Sequence, residues 1–153
     1  MNCIYNLITG LCTENVVYKP LREVCDSLKK ETLKTDQLSE CGKYPVINSG
    51  RDFYGRYDRF NNEGNAFVIA ARGEYAGYIT YLPERFWAGG LCYPYRAKDE
   101  NMLLSKFVYH FLKSKEQYVM GTLVARGSIP ALNKADIEKL PIPLPPLEVQ
   151  REI

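Results

Sequence analysis

The sequence predicts an α+β fold, a small twisted, mainly antiparallel sheet braced by helices. Three observations carry this expectation. Ala66-Phe67-Val68-Ile69-Ala70-Ala71 is the most apolar short run in the chain and has the length of a buried central strand. Leu103, Leu104, Phe107, Val108, Phe111 and Leu112 recur at helical spacing and make one broad apolar face, suited to bracing a sheet. Near the C-terminal end, Pro141, Pro143, Pro145 and Pro146 forbid helix and hold the backbone extended between two short helical signals. With 153 residues, 46% of them hydrophobic, the chain can build one compact core and is too short for two ordinary domains.

Taken in order, residues 1–15 read as a short amphipathic arm. Pro20 suits a helix start, and Leu21, Val24, Cys25 and Leu28 form an apolar stripe, so a helix is expected over 20–28. Residues 31–43 are polar and form a loop. Tyr44 to Asn48 is β-type, Asn48-Ser49-Gly50 is a turn, and Phe53 to Tyr57 is a second aromatic segment. The central strand at 66–71 turns through Arg72 to Gly77 into a strand at 78–82, a hairpin with a longer loop. The β pattern continues over 86–96, with Pro94 suggesting an edge or a strand end. Asp99 or Asn101 is expected to cap the longest helix, 101–115. A further helical piece over 116–124 should break at Gly121, with a loop at 125–127. Asn133 then caps a short helix whose third residue is Asp136, placing Ile137 and Leu140 inward. After the prolines a new helix begins at Pro146, with Leu147, Gln150 and Ile153 at helical spacing.

Composition excludes several classes. Lys+Arg 20 against Asp+Glu 18 leaves a net charge of only +2, so any basic surface must be local. Five cysteines, Cys3, Cys12, Cys25, Cys41 and Cys92, make no C-x-x-C pair, and buried reduced thiols of a cytoplasmic protein are expected rather than a zinc site or disulfides. No cationic segment precedes Ile4, Leu7, Ile8 and Leu11, and no apolar run approaches a membrane-spanning length, so neither a signal peptide nor a membrane partner is indicated. There is no phosphate-cradling G-x-x-x-x-G-K-[ST] motif. His110 is the single histidine, so a triad or a histidine metal site would have to be built around it; inside the long helix, between Tyr109 and Phe111, it reads as structural or merely exposed. No catalytic residue and no metal ligand is assigned.

The stronger functional signal is in the middle of the chain. Lys43, Arg51, Arg56, Arg59 and Arg72 stand against Asp52, Asp58 and Glu63, interleaved with Tyr44, Phe53, Tyr54, Tyr57 and Phe60. Arginine binds phosphate or guanine edges in bidentate fashion, Asn48 and Ser49 can read a base or bind phosphate, and tyrosine offers ring and hydroxyl. Loops of this makeup suit a nucleic-acid groove, and also a sugar or a protein. Arg72 and Tyr75 either face the ligand or merely form a hairpin tip. Arg126, Ser128 and Lys134, near the start of the capped helix, either anchor a phosphate or are solvated.

Several segments are similar to one known family. Ser-Ile-Pro-Ala-Leu-Asn-Lys-Ala-Asp-Ile (128–137), a short spacer, and Ile-Pro-Leu-Pro-Pro-Leu-Glu-Val-Gln-Arg-Glu-Ile (142–153) resemble the end of a target recognition domain in the specificity subunits of type I restriction-modification systems. Val17-Tyr-Lys-Pro-Leu-Arg-Glu-Val-Cys25 is similar to that domain's opening, Tyr44-Pro-Val-Ile-Asn-Ser-Gly50 to its next segment, and Ala71-Arg-Gly-Glu-Tyr-Ala-Gly77 to its central glycine turn. The resemblance implies a DNA-reading domain over 16–145, preceded by the arm at 1–15 and followed by the root of a long spacer helix at 146–153. It also implies a non-catalytic protein that binds one half of a bipartite site in double-stranded DNA. Modification subunits would bring S-adenosylmethionine and methylate adenine, a restriction subunit would bring ATP-driven cleavage with Mg, and spacer helices could pair two copies. This chain would bind no cofactor. Because Ile153 falls inside the new helix, the sequence is expected to be part of a longer polypeptide. The alternatives are an accessory or recognition domain of a DNA methyltransferase or nuclease, and a carbohydrate- or protein-binding module.

Overall fold

The computed structural model describes residues 16–153, so the expected arm at 1–15, with Cys3 and Cys12, lies outside the described residues. The chain enters through β1 (Tyr18–Pro20), which pairs antiparallel with β11 (Pro141–Pro143), the strand by which it leaves. This pairing explains how a ladder forms from prolines. The Leu21 amide donates to the Leu140 carbonyl at 2.9 Å and the Leu144 amide to the Val17 carbonyl at 2.8 Å. In an antiparallel ladder hydrogen-bonded and non-hydrogen-bonded pairs alternate, so Pro20 opposite Pro141 and Pro143 opposite Tyr18 fall at positions that need no N–H. Ile142, between them, points into the core and is fully buried.

The main sheet has the order β2 (Cys25–Ser27), β8 (Cys92–Ala97), β5 (Ala66–Ala70), β6 (Ile79–Leu82), all antiparallel neighbours. β5 is buried along its whole length because it stands between two cores. Phe67 and Ile69 point into the larger one, with Tyr95, Phe107, Phe111 and Ile142, whereas Ala66 and Val68 point into a smaller one with Ile47, Leu82, Phe86 and Cys92. A continuous apolar run is what such a two-sided position requires. Gly73 (φ +90°) and Gly77 (φ +96°) let the β5–β6 connection turn through the left-handed region, as the hairpin demands. A second, three-stranded sheet holds β4 (Gly55–Tyr57), β3 (Tyr44–Ile47) and β7 (Trp87–Ala88), with β7 parallel to β3. The segment expected to continue as one β region over 86–96 therefore divides between two sheets.

Several expectations need correction. The helix over 20–28 is a single turn, α1 (Leu21–Val24), after which Cys25 is already extended and paired with Ala97. The same apolar stripe is satisfied in β geometry, since Leu21 and Cys25 reach the larger core and Leu28 packs on the smaller one. Pro94 is neither at an edge nor at a strand end. It lies within β8, between β2 and β5, and is tolerated because its backbone polar atoms face the β2 side just past that strand's end, where its carbonyl accepts the Leu28 amide at 2.8 Å. The long helix, α2 (Ser105–Ser114), starts four residues later than expected and neither Asp99 nor Asn101 caps it. Asp99 instead closes a turn, accepting the Asn101 amide on Oδ1 at 2.9 Å. The Ser105 amide is met by the Glu100 carboxylate and the Leu104 amide by Gln150. Buried Phe107, Val108, Phe111 and Leu112 form the expected bracing face.

Gly121 does not break the next segment. α3 (Glu116–Tyr118) runs into a π-helical turn, Val119–Leu123, that contains it. Val124–Ala125, placed partly in the expected loop, is β9 and pairs with β10 (Ala131–Leu132). Asn133 does occupy the N-cap of α4 (Lys134–Glu138), but its side chain makes no capping hydrogen bond. The last helix, α5 (Leu147–Arg151), follows Pro146 at its N-cap and buries Val149 and Gln150.

Of the described cysteines, Cys25 and Cys92 are buried, and burial pushes each thiol up to about 12, whereas Cys41 is exposed and departs from the expected buried thiol. In a protein with Cys3 and Cys12 replaced by serine, iodoacetamide at neutral pH should label Cys41 alone, and Cys25 and Cys92 only after unfolding, as counted by mass spectrometry. Ile142→Ala should lower the free energy of unfolding by about 2–5 kcal/mol in urea denaturation, because it opens a cavity where the exit strand is anchored.

Candidate nucleic-acid interface

The topology gathers four connections at one end of the domain. β3 and β7 run parallel and both finish there, as do β5 and β9, so residues 48–54, 71–78, 89–91 and 126–130 lie together. Backbone and side-chain hydrogen bonds tie them to one another. The Gly89 amide donates to the Ile47 carbonyl at 2.8 Å and the Leu91 amide to Asn48 Oδ1 at 2.8 Å. The Ala71 amide donates to the Leu91 carbonyl at 3.0 Å, and the Gly73 amide to the Pro130 carbonyl at 2.8 Å. Loops from the main sheet, the three-stranded sheet and the β9–β10 pair thus form a single braced platform rather than separate tips.

The platform exposes Arg51, Arg72, Arg126 and Ser128, together with Tyr54, Tyr75, Leu91 and Ile129. Exposed large apolar side chains beside exposed arginines combine contact area with cationic hydrogen-bond donors, a makeup that can serve recognition. Arg51 and Arg72 make no side-chain hydrogen bond or ion pair among the described residues, so none of those residues occupies their guanidinium forks. Arg126 spends one Nη2–H on the Met120 carbonyl at 2.9 Å, which fixes its loop but leaves further donors. Tyr75 sits edge-on to Tyr78, and the Tyr54 hydroxyl meets Thr35 Oγ1 at 3.0 Å.

A second cationic feature lies toward the opposite end of the three-stranded sheet. Lys43, Phe53, Arg56, Pro83, Glu84 and Arg85 line an open hollow of about 450 Å³. Arg56 is committed within it, donating from Nε to the Gly42 carbonyl at 2.6 Å and from Nη2 to the Lys43 carbonyl at 2.8 Å. Arg85 pairs with Glu63 at 2.8 Å and lies 4.5 Å over the Phe60 ring, which in turn meets Tyr44 edge-on. Arg85 was not singled out by sequence, because nothing in Pro83-Glu84-Arg85 shows that the strand before it ends beside Lys43.

The remaining candidates divide. Asn48 and Ser49 are half-buried in the turn after β3, and the Asn48 carboxamide is a brace for Leu91. Tyr57 is half-buried, edge-on to Trp87 at 5.2 Å between centroids. Arg59 is exposed beyond the end of β4, away from the platform. Lys134 donates to Ser27 Oγ at 2.7 Å and lies 3.8 Å from Glu138, so it ties α4 to β2. His110 is half-buried beside Tyr109, and burial together with Lys106 lowers its pKa. Among the described residues no group of three or more His, Cys, Asp or Glu side chains is placed to hold a metal ion, and no helix is long and apolar enough to cross a membrane.

Comparison with known proteins places this architecture. The family described as "Type I restriction modification DNA specificity domain" matches residues 13–153, and the chain belongs to it. A putative type I restriction enzyme specificity subunit of Haemophilus influenzae is 30% identical over 146 residues, which is 90% of this chain and 35% of that protein. A putative type I specificity subunit of Mycoplasma genitalium is 27% identical over 129 residues, 84% of this chain and 33% of that protein. Among solved structures, the S subunit of a type I restriction-modification system from M. genitalium superposes with a TM-score of 0.77 at 26% identity, over 87% of this chain and 35% of that one. The HsdS subunit from Thermoanaerobacter tengcongensis shares the fold with a TM-score of 0.69 at 17% identity, over 97% of this chain and 40% of that one. The chain thus spans little more than a third of the length of these relatives.

Because Arg56, in β4, donates to two carbonyls of the segment that precedes β3, Arg56→Ala should cost about 1 kcal/mol of stability in chemical denaturation. Arg72→Ala, with no such partners, should leave the denaturation midpoint unchanged.

Proposed function

We propose that this domain reads one half of a bipartite site in double-stranded DNA, as the recognition part of a type I specificity subunit. The observation that carries the reading is the braced platform, which presents exposed Arg51 and Arg72, without side-chain partners among the described residues, beside exposed Tyr54, Tyr75, Leu91 and Ile129. Rigid loops of this kind hold side chains in a fixed register against base edges, while cations at their margins contact phosphates. Lys43 and Arg85 extend the positive surface beyond the platform. In this reading Asn48, Arg56, Tyr57 and Lys134 shape the surface from behind and contact DNA less directly, and Arg59 lies outside it.

The domain spans residues 16–145 and hands over at 146–153 to a spacer helix. It does no chemistry and holds no cofactor of its own. Modification subunits supply S-adenosylmethionine for adenine methylation, a restriction subunit supplies Mg and ATP for cleavage, and spacer helices measure the distance to the other half-site. The protein acts in the cytoplasm, where the DNA is.

Methylome mapping in cells carrying the intact system tests this directly. Exchanging residues 16–145 for another such domain should change one half of the methylated motif and leave the other half and the intervening gap intact; a motif unaltered by the exchange would overturn the reading. With the motif known, Arg51→Ala combined with Arg72→Ala should weaken duplex binding at least tenfold in fluorescence anisotropy. If both arginines contact phosphates, the slope of log K against log salt should fall by about 2.

A further inference from the structure

The last helix, α5, is held by a buried amide. Gln150, in α5, is 2% exposed and uses both ends of its carboxamide. Oε1 accepts the Leu104 amide at 2.8 Å, and Nε2 donates to the Met102 carbonyl at 3.0 Å and the Pro145 carbonyl at 2.8 Å. The orientation of the amide is dictated by its partners, since two carbonyls require the donor end and an N–H requires the acceptor end. The Leu104 amide stands at the N-terminus of α2, where the helix itself offers no acceptor. One side chain therefore joins the end of the proline strap, the first turn of α5 and the entry to α2.

Its neighbour Val149 is the apolar counterpart, also buried, and Ile153 packs on the larger core one turn further on. Consecutive helical residues project about 100° apart. An apolar anchor alone would leave a helix free to swivel, because apolar contacts are non-directional. The three directional hydrogen bonds of Gln150 remove that freedom.

We propose that Gln150 is a positioning residue that sets the direction in which the helix beginning at Leu147 leaves the domain. Resting on the DNA-reading function above, it thereby contributes to the specificity for the gap between half-sites, without touching DNA. Glutamate cannot replace it, because a carboxylate offers no donor to the Met102 and Pro145 carbonyls. Methionine matches its volume and offers none of the three bonds.

The test uses the full-length specificity subunit assembled with its modification subunits and duplexes carrying the mapped motif with its natural gap or with the gap changed by one base pair. Wild type should methylate the natural gap strongly in preference to the others. Gln150→Met and Gln150→Glu should reduce that preference at least tenfold while the half-site sequences stay the same, and the milder Gln150→Asn should fall between. Leu112→Ala, destabilised in the core away from the clamp, controls for stability: it should lower methylation at every gap alike. Gap preference unchanged in all three Gln150 variants, or lost equally in Leu112→Ala, would overturn the proposal. If the variants at 150 with the largest changes fail to fold, Gln150→Asn decides alone by the same criterion. Absence of bipartite methylation in the wild-type complex would instead count against the DNA-reading function itself.

Discussion

The pairing of β1 with β11 is the constraint on which the rest of the structure depends. It ties the residues by which the chain enters to those by which it leaves, so everything between them is a closed excursion. Its register is set by chemistry that tolerates little else. The prolines can occupy only positions that need no N–H, which places Ile142 and Leu144 where their amides are used and where Ile142 is buried. A slip by one residue would put proline at hydrogen-bonded positions and turn Ile142 to solvent. The strap is thus stiff, largely buried and fixed in register, which suits it to join the sheet to the helix that follows it.

Closure of the ends also decides where the braced loop platform lies. With entry, exit and α5 at one place, the loops at the ends of β3, β5, β7 and β9 are gathered elsewhere, and they are fastened to one another by Asn48 and by backbone bonds at Gly89, Leu91 and Gly73. The two cores on either side of β5 support this arrangement from beneath. The larger carries α2 and the exit strand, and the smaller joins the three-stranded sheet to the main one. The main and three-stranded sheets beneath the surface meet across the smaller core at the same central strand.

The polar residues show a division of labour that charge alone does not display. Arg56, Lys134 and Asn48 satisfy backbone or side-chain partners within the protein, so removing them perturbs the fold. Arg51 and Arg72 have no such partners among the described residues, so their side chains are not ordered by bonds within that part of the protein. Gln150 represents a third use of polarity, a buried amide whose directional bonds orient one element against another.

Much of the fold was legible in local pattern. The apolar run at 66–71, the bracing face of 103–112, the hairpin at 72–77 and the proline strap are each specified by neighbours in sequence, and each forms. The motifs at both ends were specific enough to indicate the family. What the sequence could not decide is where two geometries satisfy one pattern, or where a partner is remote. Leu21, Cys25 and Leu28 suit a helix or a turn followed by a strand, and pairing with β8 chose the second. Pro94 marks an edge by its chemistry, and only the early end of β2 admits it to the middle of a sheet. Which arginines are free and which are spent depends on carbonyls brought close by the fold. Side-chain type is written in the chain, but the partner that fixes its role arrives only when distant segments pack together.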